Sequence, residues 1–222
     1  MGKILRYLFY WIIIKPIVYI CLGLNVHNAE NLPKSGPAII ISNHNSHLDT
    51  LVLMSLFPTH LMLKISPVAA ADYFLKNKFV AWFVLNVLKI IPISRKVSKE
   101  SNVEFFEKVE AHLKNNGIII LYPEGSRGKP EQMEKLKTGI FHIAKQNSDV
   151  PVIPVFMHGL GLALPKNEVL FVPAICKVWV AEAVKFQDNR DEYMDNLNRI
   201  FTLLSHKVDE RDDCSSVEKT TD

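Results

Sequence analysis

Two polar bursts stand where apolar runs end. The first is SNHNSHLDT, residues 42 to 50, entered from Ala38-Ile39-Ile40-Ile41 and left through Leu51-Val52-Leu53-Met54. On one continuous helix His44 and Asp49, five residues apart, would point about 140° away from each other and never meet. With His44 in the turn that leaves a strand and Asp49 in the first turn of the next helix, the imidazole folds back over the carboxylate. That hydrogen bond fixes the ring tautomer and leaves the other nitrogen ready to take a proton. Two other readings fit the same residues. His44, His47 and Asp49 are metal-ligand types, but no second cluster completes the usual three or four ligands. Alternatively, Ser46 and Asp49 only cap a helix from about His47 to Phe57, with His44 in a crevice.

The second burst, within IIILYPEGSRGKP at residues 118 to 130, favours the chemical reading. Glu124, Gly125, Ser126 and Arg127 again follow a buried strand, where α/β folds place their sites. A glycine turn exposes backbone N–H groups that could receive an oxyanion, and an arginine offers a planar fork for phosphate. IIPISR puts Arg95 at another strand end. Lys137 is a weaker phosphate candidate and reads equally as a solvated helix charge. VPVIPVFMHG is an apolar strand whose Pro151 and Pro154 predict an edge or irregular position. There is no phosphate-loop motif and no G-x-S-x-G nucleophile elbow.

The elements that would position these residues alternate along the chain. Short Ile/Val runs predict strands over Ala38–Ser42, Leu61–Ile65, Lys89–Ser94, Ile118–Tyr122, Val152–Met157 and Ile175–Val180. Helical spacing predicts helices over Leu48–Phe57, Asp72–Leu88, Lys99–Asn115, Leu136–Gln146 and Glu192–Val208. The expectation is an α/β fold: a single layered domain, residues 25 to 208, with a mixed, mostly buried sheet flanked by helices. The polar stretch after Leu24 reads as a linker. FVAWFVLNVLKIIPI reads as core packing or the wall of an apolar groove.

Composition sets the bounds. The 222 residues are 48% hydrophobic and 22% charged, as in a folded domain. The net charge of +3 conceals an acidic, mobile tail over residues 209 to 222, so the body is more basic than the total and suits an anionic partner. Three scattered cysteines, Cys21, Cys176 and Cys214, exclude a disulfide framework and fit a reducing compartment. Residues 1 to 24 are almost wholly apolar but broken by Lys15 and Pro16. A central lysine costs about 2.5–3.5 kcal/mol in a spanning helix. Two helical pieces lying in a membrane interface, with Arg6 and Lys15 reaching headgroups, therefore read better than a clean span or a core helix. This segment is expected to be a membrane-associating unit separable from the domain.

Taken together, Asn43-His44 to Asp49, IPISR ending at Arg95, PEGSRG with Glu124 and Arg127, and VPVIPV resemble the four ordered blocks of the glycerolipid acyltransferase family, which includes the lysophosphatidate acyltransferases. LKTG, around Lys137 and Gly139, is similar to an element of bacterial members. Ser126 stands where threonine is usual and Gly128 where serine is. The resemblance implies a membrane-associated O-acyltransferase on the cytoplasmic face. It would move an acyl group from acyl-CoA or acyl-carrier protein to a hydroxyl of lysophosphatidate, with His44 as general base and Asp49 orienting it. Arg127, Arg95, Glu124, Gly125, Ser126 and Lys137 would form the acceptor-phosphate region. The implied partners are a membrane lipid surface, a lysophospholipid and the thioester donor, with no nucleic acid, no cofactor and no metal. Glycerol 3-phosphate or another lysolipid remains open as acceptor, and so does a non-catalytic lipid-binding role.

Overall fold

A computed structural model of the protein describes residues 2–46, 48–74, 77–94, 99–128, 132–164, 172 and 174–217. Among these residues, β1 (Gly23–His27), β2 (Ala38–Ser42), β3 (Ile65–Ala70), β4 (Ile91–Ile93), β5 (Ile118–Leu121), β6 (Val152–His158) and β7 (Ile175–Val180) form one sheet. Their order is β1-β7-β6-β2-β5-β3-β4. Strands β2 to β6 run parallel. β7 is antiparallel to β6, and β1 is parallel to β7, so the sheet is mixed, as expected.

Helices cover both faces, which is why the central strands are unbroken isoleucine rather than alternating. Ala38 and Ile40 pack into one core cluster with α2 (Asp49–Ser55) and the N-terminal helix. Ile39 and Ile41 pack into the other with α5 (Lys99–Lys114), α6 (Gly139–Gln146) and α8 (Arg190–Val217). The chain leaves β2 through α2 on the first face and leaves its neighbour β5 through α6 on the second. Adjacent parallel strands whose exits diverge open a crevice at their carboxyl ends. Register aligns the contributors: Ile41 is level with Leu121 and with Pro154, so three residues further on His44, Glu124 and Met157 come together.

β2 and β7 match their predicted spans, and the departures have local causes. Leu61-Met62-Leu63-Lys64 is apolar but made of helix formers; Met62–Lys64 takes a 3₁₀ turn and β3 starts at Ile65. The stretch read as a linker after Leu24 holds the last three residues of β1, which pairs with β7 through five residues. β6 is not at an edge: it lies between β7 and β2. Pro154 is tolerated because its carbonyl faces Ala181, accepting that N–H at 2.9 Å just beyond the β7 ladder. Its missing N–H points the same way and removes no bond to β2. The helix expected over 72–88 is divided into α3 (Ala71–Phe74) and α4 (Lys78–Phe83), the latter extended by a π-type turn, Val84–Leu88. Asn77 restarts it as an N-cap, accepting from Phe79 and Val80.

The N-terminal segment is α1 (Gly2–Phe9) continued by π-type turns at Tyr10–Ile14 and Ile17–Cys21. Pro16 sits between these wider turns in helical conformation, which accommodates its missing donor. Tyr10, Ile14, Val18 and Leu22, spaced by four, are buried in the first core cluster. Arg6 lies on the same line, four residues before Tyr10, and this corrects the expectation that it reaches headgroups. Its side chain is buried and Nη2 donates to the Ile65 carbonyl at 2.5 Å. Burial lowers the guanidinium to about 10. Lys15 instead lies over the Trp11 ring, 4.4 Å from its centroid. No helix of the described residues is long and apolar enough to cross a membrane. The final helix, α8, continues to Val217, into the acidic tail.

Candidate active site

The turn after β2 is built by its own side chains. Asn43 copies a backbone unit: Nδ2 donates to the Met157 carbonyl at 2.7 Å and Oδ1 accepts the Met157 N–H at 2.8 Å. The ladder between β2 and β6 therefore extends one step past the last strand residue, and the chain then turns sharply at His44. Ser46 Oγ accepts from the Leu48 N–H at 3.2 Å and donates to the Leu164 carbonyl at 2.9 Å. Asp49 reaches back to the Ser46 N–H at 2.9 Å. Only half of the capping box expected from the sequence is formed: Asp49 reaches back to Ser46, but Ser46 Oγ meets the Leu48 N–H and not that of Asp49. The helix begins at Asp49 with Leu48 as its N-cap and no side-chain cap.

Capping and pairing turn out to be one arrangement. Asp49 Oδ2 receives the Asn45 N–H at 2.7 Å, the Ser46 N–H, and His44 Nδ1 at 2.8 Å. Asp49 is 1% exposed and His44 20%. With Nδ1–H donating to Asp49, the lone pair sits on Nε2. The imidazole stacks on Tyr122, ring centroids 4.0 Å apart at 16°. Tyr122 is fixed through its hydroxyl, 2.9 Å from Thr50 Oγ1. Burial, then the nearby Asp49 charge, pushes its phenol well above the ordinary tyrosine range, so the surface beneath the imidazole is a neutral phenol.

Glu124 ties the second burst to the first. It is wholly buried. Oε1 accepts the His44 backbone N–H at 2.8 Å and Oε2 accepts the Glu134 N–H at 2.9 Å. Burial raises its carboxyl to about 7, against the lowering effect of those two N–H groups. The Gly128 N–H closes the loop back onto the His44 carbonyl at 3.1 Å, so the segment carrying Ser126 and Arg127 is held beside the imidazole. Both of these residues are half-buried. Gly125 takes φ +74°, and a Cβ there would lie 2.5 Å from Lys137 Nζ. Glycine thus allows Lys137, anchored by its own N–H to the Pro123 carbonyl at 2.8 Å, to lie across the turn. The Gly125 N–H donates to the Tyr122 carbonyl at 3.0 Å. That removes it as an oxyanion donor, since a tight turn uses its own amide to close.

The structure therefore joins His44, Asp49, Glu124, Gly125, Ser126, Arg127 and Lys137 at one edge of the sheet. Arg95 and His47 lie outside the described residues. Two contributors were not singled out from sequence. Tyr122 directly follows the aliphatic strand β5, a signal that its hydroxyl needs a partner. Asn43 was read only as part of a motif, because its partner is 114 residues away.

A family model described as acyltransferase matches residues 23–158. Three curated proteins illustrate the relatives. The chloroplastic 1-acyl-sn-glycerol-3-phosphate acyltransferase LPAT1 of Arabidopsis thaliana is 27% identical over 149 residues, 67% of this chain and 39% of that protein. The 1-acyl-sn-glycerol-3-phosphate acyltransferase alpha of Ovis aries is 29% identical over 163 residues, 73% and 54% of the two chains. A 1-acyl-sn-glycerol-3-phosphate acyltransferase of Pseudomonas aeruginosa is 28% identical over 175 residues, 78% and 64%. The chain thus spans less than two thirds of the length of these relatives. The crystal structure of the 1-acyl-sn-glycerophosphate acyltransferase PlsC from Thermotoga maritima superimposes with a TM-score of 0.74 at 20% identity, covering 93% of this chain and 79% of that one. At that identity the likeness is one of fold.

Proposed function

The chain belongs to the acyltransferase family, and from that premise we propose that it transfers a fatty acyl group from a thioester donor to a hydroxyl of lysophosphatidate, giving phosphatidate. The observation that carries the reading is the His44–Asp49 pair, Nδ1 to Oδ2 at 2.8 Å, at the carboxyl edge of the sheet with the imidazole still partly open. A thioester already carries a good leaving group, so no acyl-enzyme and no cofactor are needed. The difficult step is loss of the hydroxyl proton as the oxygen attacks.

His44 Nε2 takes that proton while the acceptor oxygen bonds to the thioester carbonyl carbon. The C–S bond then breaks, and the imidazolium returns the proton to the departing thiolate. Asp49 keeps Nδ1–H in place and balances the transient imidazolium; a positioned base of this kind contributes about 10²–10⁴-fold. Arg127 and Lys137 hold the acceptor phosphate, and Arg95 is assigned there from the sequence alone. Glu124, with both oxygens on backbone N–H groups, serves by holding the His44 and Glu134 segments together. The membrane surface is the source of the lipid acceptor, and the apolar N-terminal helix supports docking there, on the cytoplasmic face.

The test is incubation of the purified full chain with labelled acyl-CoA or acyl-carrier protein and a panel of lysophosphatidate, glycerol 3-phosphate and lysophosphatidylcholine. Labelled phosphatidate from lysophosphatidate is the expected product. Acylation of another acceptor alone would reassign the substrate, and no acylation with either donor would sink the reading.

A further inference from the structure

The α4 helix and its continuation, Lys78–Leu88, pack antiparallel to the N-terminal helix. Gly2 lies beside the Asn86 carbonyl, and further along Phe9 and Phe83 meet edge-on with centroids 5.0 Å apart. Val84 and Val87 face the protein. The outer side is apolar and open: Phe79 is 87% exposed and Trp82 54%, with Val80 and Leu85 beside them. A third of the stretch read as core packing or the wall of an apolar groove, Phe79, Val80, Trp82, Leu85 and Lys89, is therefore exposed. Across the contact Trp11, Ile12 and Ile20 are exposed as well, so two helices share one apolar outer surface.

Charge indicates what that surface meets. Residues 2–22 and 77–90 contain no aspartate or glutamate. Arg6 is buried, so the outward charges are Lys3, Lys15, Lys78 and Lys89. An apolar face carrying tryptophan, whose two segments bear lysines and no acid, fits the interface of an anionic bilayer. A second copy would set lysines against lysines. Topology adds an orientation. α4 begins beyond the carboxyl end of β3 and runs back to β4, which is parallel to β3. The N-terminal helix runs the opposite way and ends next to β1, whose start lies at the carboxyl edge of β6. Phe79 and the 81% exposed Ile20 thus lie toward the edge that holds His44.

We propose that Lys78–Leu88 is a second bilayer-docking element, which with the N-terminal helix seats the active-site edge on anionic lipid. It rests on the membrane-surface reading above and not on the identity of the acceptor. The full chain carrying Phe79→Ser and Trp82→Ser is compared with wild type for binding to phosphatidylcholine–phosphatidylglycerol vesicles, for melting temperature and for turnover of detergent-dispersed lysophosphatidate. Vesicle binding should weaken at least tenfold, with melting and detergent turnover held. In a Trp11→Phe background only Trp82 and the buried Trp179 remain; on vesicle addition Trp82 emission should shift to the blue and escape iodide quenching. Unchanged vesicle binding, or a bound protein whose Trp82 stays open to iodide, would overturn the proposal. So would loss of detergent turnover, which would place the patch in the acyl site, or a lipid-free wild-type dimer dissociated by the substitutions, which would assign it to a second copy. Vesicle binding that behaves as expected in a protein with no transferase activity would sink the catalytic reading and leave the docking face standing.

Discussion

Asp49 does two things through one oxygen, and a single substitution separates them. Asparagine can place its carbonyl oxygen where Oδ2 now accepts His44 Nδ1–H and the Asn45 and Ser46 N–H groups. The turn survives, but the charge that balances an imidazolium is gone. Asp49→Asn should lower kcat about a hundredfold or more with little change in melting temperature, both measured on the same preparation. Glu124 predicts a pH effect. Its carboxyl is raised from 4.5 to about 7 in the folded chain, so between those values the folded state keeps a proton that the unfolded state has lost. Its contribution to stability is full below about pH 4.5 and fades as pH climbs to 7, on the order of 3 kcal/mol in all. Denaturant titrations of wild type and Glu124→Gln should show the wild-type advantage shrinking by about that amount over this range; a constant difference would mean an ordinary carboxylate. The His44–Asp49 pair was legible in the sequence because its partners are five residues apart. The two N–H groups on Glu124 were not, because they belong to His44 and to a loop that returns only after the strand has ended.

At the scale of elements, spans were legible where local preference and burial agree. β2 is a β-branched run buried along its whole length, and β7 buries Cys176 and Val178 to Val180 while Ile175 is exposed and Lys177 half-buried; in both, the apolar run sets the limits. β1 is polar and was missed, because its pairing with β7 depends on residues 150 positions away. Asn43 joins this scale to the site: it makes the last rung between β2 and β6 with a side chain. Asn43→Ala leaves a buried N–H and C=O of Met157 without those partners, which costs about 1–3 kcal/mol for each unsatisfied group. It should lower the melting temperature by several degrees and cut kcat, because the turn that aims His44 loses its anchor. A variant with unchanged stability would show the rung to be dispensable.

For the whole molecule, the N-terminal helix is both core and surface. Tyr10, Ile14, Val18 and Leu22 are each at most 1% exposed. Burying four such side chains contributes about 6–12 kcal/mol, comparable with the ~5–15 kcal/mol that holds a domain folded. The sequence alone suggested a detachable anchor, since an apolar run does not reveal which of its faces a sheet will cover. Deleting residues 1–22 should therefore abolish cooperative thermal unfolding followed by circular dichroism. A truncated chain that melts cooperatively near the full-length temperature would restore the detachable anchor.

The central claim is that His44 removes the proton from the attacking hydroxyl. Its most direct test is kcat for phosphatidate formation by purified full-length His44→Ala, with circular dichroism matched to wild type. The imidazole is partly open and its ring stacks on one neighbour, Tyr122, so the fold should hold while kcat falls by about 10²–10⁴-fold. A folded His44→Ala protein that keeps more than about a tenth of wild-type kcat would contradict the account.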